Sequence, residues 1–294
     1  MRIAIDHTTH YRFSEPAAHG LQRLRLTPKA TSGQTIQSWD MELAGAVLEA
    51  EYDDHNCNHV SLIAFTPGAT DVTIRCRGVV DTADNAGIVG KHSGHLPLWH
   101  FAEPTELTRA GPRARALLAA LGQTQAQTQG QSQGQSQSQS QSQGTRPGDD
   151  RLAVLHDLSA LVAERVAYAT GHTDAATPAE AVLAAGHGVC QDHAHVFIAA
   201  ARALGIPARY VSGYLLMDDR VDQDAGHAWA EAFVANLGWV GFDISNRICP
   251  DVRYVRVATG ADYRDAAPIT GIRYGDLDET MHVKLAVEQQ RVEQ

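Results

Sequence analysis

The chain has 294 residues, of which 44% are hydrophobic, and a formal net charge of −10. That length and apolar content predict two modest domains, each with its own core. The acidic balance, 24 Lys and Arg against 34 Asp and Glu with no basic run, argues against nucleic acid or an anionic membrane as a partner.

The opening stretch, MRIAIDHTTHYRF, alternates like a strand and lacks the apolar h-region of a signal peptide. No apolar run approaches the ~18 residues that span a bilayer. Cys57, Cys76, Cys190 and Cys249 are scattered and form no CxxC, which suits free thiols in a reducing cytoplasm. A cytoplasmic location is the resulting expectation.

From Ile3 to Phe101 short alternating runs are broken by Gly, Pro, Asn and Asp: IAIDHTTHYRF, LQRLRLTP, QSWDMELAG, HVSLIAF and DVTIRCRGVV. They predict an antiparallel β-sandwich over residues 1–105. Within it DDHNCNH (53–59) mixes turn formers with potential ligands, and is read as a hairpin tip rather than a metal site. Residues 104–121 predict a short helix with Leu117, Leu118 and Leu121 on one face. The Gln/Ser-rich tract 123–144 has almost nothing to bury and is expected to be a disordered tether. Residues 106–150 are therefore assigned to a helix and linker.

Residues 151–294 change character. Leu152, Leu155, Leu158, Leu161 and Val162 recur at helical spacing. TPAEAVLAAG suggests a second helix, with Thr177 as N-cap, Pro178 at the first helical position, Glu180 closing a capping box and Gly186 as the stop. A third follows Gly188, with Ala194, Phe197, Ile198, Ala201 and Leu204 facing inward and Gly205 and Pro207 ending it. Strand-like ARYVSGYLL, HAWAEAFV, GWVGFD and MHVKLAV come next. Helices first and strands afterwards describe an α+β domain, helices packed on an antiparallel sheet.

GHGVCQDHAH (186–195) concentrates chemistry. A thiol at Cys190 would sit at the start of a helix, where unpaired amides and the helix dipole stabilise a thiolate and those same amides can bind an oxyanion. Such a nucleophile needs an imidazole and a group to orient it. His227 and Asp243, on two strands of a predicted hairpin, are 16 positions apart with Ala235 as midpoint. A loop centred there sets them opposite one another, about 4.5–5.5 Å apart at Cβ. An even turn separates their faces, so a loop of odd length, or a bulge, is required between Val234 and Gly238.

Zinc is the competing reading of His187, Cys190, His193 and His195. On one helix His193 and His195 point about 160° apart, so both cannot converge on the thiol, and no four-residue His spacing occurs. No metal and no cofactor is therefore assigned. Asp192 is read as a helix cap, the acidic loop MDDRVDQDAG (217–226) as a solvated turn rather than a calcium site, and Trp229 and Trp239 as sheet packing. His7, His10 and His19 are taken as ordinary sandwich residues.

GVCQDHAHVFIAAARALGIPARYVSGYLL, then HAWAEAFV and GWVGFDISN, resemble the transglutaminase-like superfamily of papain-like fold, in its bacterial branch. HYRFSEPAAHGLQRLRLTPKATSGQ and the DDHNCNH turn are similar to the β-domain that precedes the catalytic core in that branch. The resemblance implies Cys190 as nucleophile, His227 as general base and acid, and Asp243 as the orienting carboxylate. It also implies a Trp or Tyr oxyanion donor, for which Tyr168 is the candidate, with Gln191 as a supporting residue. Two positions depart from the family pattern: FDISN stands for FDPTN, and His193 replaces a bulky aromatic. The function expected is cysteine-dependent cleavage or transfer of an amide acyl group of a peptide or protein substrate, with hydrolysis favoured. A non-catalytic peptide- or protein-binding module that keeps the fold is the alternative, and modification of the chain's own glutamines in 123–144 a third.

Overall fold

The computed structural model describes residues 1–133, 147–274 and 278–290. Alternating sequence in the first part gives β1 (Arg2–Ala17), β2 (His19–Leu24), β3 (Gln34–Ala44), β4 (Ala46–Asp53), β5 (His59–Phe65), β6 (Ala69–Thr82) and the short β7 (Ile88–Gly90). Every second side chain of β1 from Ile3 to Phe13 is buried, as a half-buried strand requires. Next come α1 (Pro112–Gln133), α2 (Pro147–Arg165), β8 (Ala167–Tyr168), α3 (Ala179–Ala185), β9 (His187–Gly188) and α4 (Cys190–Ala203). The chain ends with β10 (Ala208–Leu215), β11 (Asp222–Gln223), β12 (His227–Val234), β13 (Gly238–Phe242), β14 (Tyr254–Gly260), α5 (Tyr263–Ala266), β15 (Ile269–Tyr274) and β16 (Glu279–Gln289).

The architecture is α+β. Sheet β11-β16-β1-β6-β3 and sheet β15-β2-β5-β4 form a sandwich with Tyr11, Phe13, Leu24, Ile63, Phe65 and Ile74 in its core. A third sheet, β14-β10-β12-β13-β7, carries the helices. On β12, Ala228, Ala230, Ala232 and Val234 belong to the same core cluster as Ala194, Phe197, Ile198 and Ala201 of α4. Small residues on alternate positions let helix and sheet approach closely. The opposite alternation on β12 places His227, Trp229 and Glu231 on the other face.

Several elements differ from the sequence reading. The MHVKLAV segment, grouped by chain order with the second half, pairs with β1 in the sandwich, from Ile3↔Gln289 to Phe13↔Glu279. No local signal encodes that register. The helix expected over 104–121 starts at Pro112, after a 3₁₀ turn at Leu98–Ala102, and its described part runs to Gln133. The Gln/Ser tract therefore begins inside α1, and its residues 134–144 lie outside the described residues. Thr177 does not cap α3: it binds Asp174, and the N-cap position is Pro178. Glu180 instead accepts N–H bonds from Gly111, Arg113 and Ala114, capping the start of α1 from across the fold.

The DDHNCNH segment is the tip of the β4–β5 hairpin, with Asp53 paired to His59. Asp54 folds the turn by accepting from Asn56 N–H, Asn58 N–H and Asn58 Nδ2, and is held by Arg25. Asn58 then bonds both backbone groups of Thr259 on β14. This turn clips the sandwich onto the core sheet.

Candidate active site

Cys190 is the first residue of α4, half-buried at its mouth. Gly186 stops α3 in the left-handed conformation, φ 74°, which turns the chain toward α4. Two residues on, a Cβ at Gly188 would lie 2.7 Å from Asp192 Cβ, so only glycine fits there. Asp192 accepts from Val189 N–H at 2.8 Å and from Thr173 Oγ1 at 2.6 Å, closing the helix start behind the thiol. The expected cap is therefore present.

His227 begins β12, and Asp243 follows β13. Their separation is set by the hairpin, whose strands pair from Ala230↔Phe242 to Val234↔Gly238. Three residues, 235–237, form the loop, odd in number as required. The loop is centred on Asn236, at φ 73°, not on Ala235. A three-residue loop centred on Ala235 would close on Phe233 and Leu237, whereas the observed ladder runs on to Val234↔Gly238. In this register Asp243 stands diagonally from His227, two positions off the directly opposed arrangement, yet on the same face. Beyond the strand end, Asp243 bridges back to Ile248, and its carboxylate reaches the ring.

His227 Nε2 donates to Asp243 Oδ2 at 2.6 Å, which leaves Nδ1 to serve the neighbouring Cys190 thiol. Asp243 Oδ2 also accepts from Tyr254 Oη at 2.7 Å and Asn246 Nδ2 at 2.7 Å. Oδ1 accepts from Asn246 N–H at 3.2 Å. Burial alone would raise the carboxyl, but these donors and the imidazolium hold it below its ordinary range. For His227 burial opposes the charged ring, whereas the bonds to Asp243 and Cys190 and their charges more than offset it. The imidazole is raised to about 10. Trp229 stacks at 6.3 Å and Tyr254 lies at 6.0 Å, fixing the ring plane.

A cleft of about 780 Å³ opens over this group, lined by Cys190, His227, Tyr168, Ser245, Asn246 and the loop 217–226 among others. Tyr168 is exposed at its rim and stacks on His193 at 6.2 Å. The Gln191 side chain turns away to the Ala175 carbonyl at 3.4 Å and is not part of the cleft wall. The acidic segment 217–226 is one wall of the cleft, more than the solvated turn its composition suggests.

The histidines around Cys190 have separate tasks. His193 Nε2 donates to the Val166 carbonyl at 2.8 Å, so Nδ1 accepts from Ser245 Oγ at 2.8 Å. The two departures from the family pattern thus meet in one hydrogen bond: the Ser of FDISN is the partner of His193. His195 Nε2 accepts from Tyr263 N–H at 3.1 Å inside the core, and His187 packs on His172 at 4.4 Å. Among the described residues no group of three or more His, Cys, Asp or Glu is placed to hold a metal ion. No helix among them is long and apolar enough to cross a membrane.

Sequence reasoning did not find Tyr254, which reaches Asp243 from a different strand, and no local signal marks it. Asn246 lies in the FDISN stretch, yet nothing in that stretch alone shows that its side chain holds Asp243.

Helices packed on an antiparallel sheet, with a cysteine at the helix mouth beside a His–Asp pair on neighbouring strands, define a papain-like, transglutaminase-like fold. Residues 138–244 match the model of the transglutaminase-like superfamily, and residues 3–81 that of the bacterial transglutaminase-like N-terminal region. The chain thus carries a transglutaminase-like core region preceded by a bacterial transglutaminase-like N-terminal region. An uncharacterized protein of Mycobacterium tuberculosis (strain H37Rv) is 28% identical over 291 residues, 95% of this chain and 90% of that one. An uncharacterized protein of Mycobacterium leprae is 27% identical over 296 residues, 96% and 98% of the two chains. A crystal structure from Cytophaga hutchinsonii, named "Putative Cysteine Protease", superposes with a TM-score of 0.71 at 21% identity, covering 100% of this chain and 92% of that one. That likeness is one of fold.

Proposed function

We propose that the protein cleaves amide bonds of peptide or protein substrates through a thioester on Cys190. The observation that carries this reading is the buried His227–Asp243 hydrogen bond set beside Cys190 at the mouth of α4, the group opening on a cleft. At neutral pH His227 is an imidazolium beside the sulfur, so the proton for the leaving group is in place before substrate arrives. The Cys190 thiolate attacks the carbonyl carbon, and the carbonyl electron pair moves to oxygen. First-turn amides of α4 and the Tyr168 hydroxyl at the rim are the donors assigned to that oxyanion. As the tetrahedral adduct collapses, the C–N bond breaks and His227 Nδ1 gives its proton to the departing amine. Water then attacks the thioester while the neutral imidazole takes its proton. The C–S bond breaks, the acid is released, and the proton restores the imidazolium.

Asp243 holds the ring and its charge throughout, without becoming protonated. Tyr254 and Asn246 keep that carboxylate oriented. The test is incubation of the protein and of Cys190→Ala with a peptide library, with and without a primary amine, read by mass spectrometry. Cys190-dependent cleavage or deamidation is expected. Mass gains equal to the amine minus ammonia, without hydrolysis, would assign the chain to transamidation instead. No Cys190-dependent mass change in any peptide would leave the binding-module reading.

A further inference from the structure

A second cavity, of about 380 Å³, lies where the β4–β5 hairpin, the 27–32 loop and the 89–93 segment meet the core sheet. Its wall shares no residue with the cleft over Cys190. Four cations line it: Lys29, Lys91, Arg209 and Arg256. Against them stand two carboxylates, Asp53 on the rim and Glu231, which lies fully buried between the two guanidiniums. His59 on the wall binds Glu51 and Asp53, whereas Asp54 below is matched by Arg25. Basic side chains thus outnumber carboxylates around the cavity.

The donors are also under-used. Arg209 and Arg256 each give Nε and Nη2 to Glu231, which leaves an Nη1 on both. The Arg209 guanidinium is pinned face-on to Trp239 at 3.9 Å, so its plane is fixed. Lys29 Nζ donates only to neutral oxygens, the Asn56 carbonyl at 2.7 Å and Thr259 Oγ1 at 3.0 Å. Burial first, then the neighbouring Arg256 and Arg209, press this ammonium down to about 7. Asn56, also on the wall, has both side-chain amide atoms buried without a partner. Buried donors and acceptors are normally satisfied, so these two atoms mark incomplete polar pairing beside the cavity.

We propose that this cavity binds a phosphate group, held by Lys29, Lys91, Arg209 and Arg256. An anion answers the excess of basic side chains, and fixed guanidiniums with a lysine suit phosphate oxygens better than a single carboxylate. The volume exceeds that of inorganic phosphate, so a small phosphate monoester fits as well. By bridging hairpin and core sheet, the anion would reinforce the junction made by Asn58 and Thr259.

The test is isothermal titration of the full chain with inorganic phosphate and with glycerol 3-phosphate, at constant ionic strength in chloride. Saturable one-to-one binding is expected for at least one probe, and the tighter of the two identifies the source of the phosphate. Lys29→Met should weaken it at least fivefold with the fold intact by circular dichroism. Should that variant fail to fold, exposed Lys91→Met decides by the same criterion. No saturable binding of either probe, or a loss below fivefold in the deciding variant, overturns the proposal.

Discussion

Replacing Asp243 by Asn keeps the shape of the site and removes the buried negative charge bonded to His227. Oδ2 accepts three hydrogen bonds, from His227, Tyr254 and Asn246, so the amide oxygen should settle there. The NH₂ group then faces only the Asn246 N–H, formerly bound at 3.2 Å. Without the carboxylate only Cys190 still opposes burial, so the ring that titrates at about 10 should fall toward its ordinary value near 6.5. A full return to 6.5 takes the imidazolium fraction at pH 8 from about 99% to about 3%, a limit of roughly thirtyfold in the form proposed to protonate the leaving amine. Disturbed orientation adds to this, so the rate of amide cleavage should fall by about 10² or more. The sign is definite: the alkaline limb of the pH profile moves to lower pH. Histidine-selective ¹⁵N NMR titration, with His227 assigned by His227→Gln, reads the shift directly. A variant ring that still titrates within one unit of the wild type would refute the reasoning, whatever happened to activity.

Gly188→Ala should be inactive yet folded, because its Cβ would press on Asp192 and shift the start of α4; full activity with an unchanged melting temperature would contradict this close contact. Glu180→Ala removes the carboxylate that accepts three N–H bonds at the start of α1 and should destabilise by about 1–2 kcal/mol, seen as a drop in urea midpoint without loss of turnover. Burial lowers His7 and His195 to about 4, whereas in the unfolded chain both protonate near 6.5. Between those values unfolding takes up protons, so stability rises with pH and is lost on acidification, by roughly 2 kcal/mol per ring at pH 5 relative to neutral. Urea unfolding of His7→Gln should show a shallower dependence between pH 7 and 5 than the wild type; parallel curves would exclude the ring as the cause.

The parts of this fold that were legible are those encoded over a few residues. Gly186 in the left-handed conformation and Asp192 three residues after Val189 act within one turn, so their roles follow from spacing alone. The strands of the sandwich were readable from alternation, as in β1. Partners chosen across the chain were not. Glu180 looks like a capping-box residue in sequence but lies nearer the first amides of α1 once the helices pack. β16 and Tyr254 find β1 and Asp243 through tertiary packing, with no periodicity to announce them. For the His227–Asp243 pair, parity of the loop was readable, but its centre depended on Asn236 accepting a positive φ. The link between Ser245 and His193 likewise spans 52 positions and joins two residues that looked like separate irregularities.

The central claim is that Cys190 is the thiol activated for attack. Cys57 is the exposed thiol, Cys76 is buried and pushed up to about 12, and burial raises Cys249 too. Limiting iodoacetamide at pH 7, followed by peptide mapping, therefore separates activation from mere accessibility. The label should appear first on Cys190, with His227→Gln slowing it at least tenfold. Modification of Cys57 ahead of Cys190, or an unchanged rate in the histidine variant, would contradict the account.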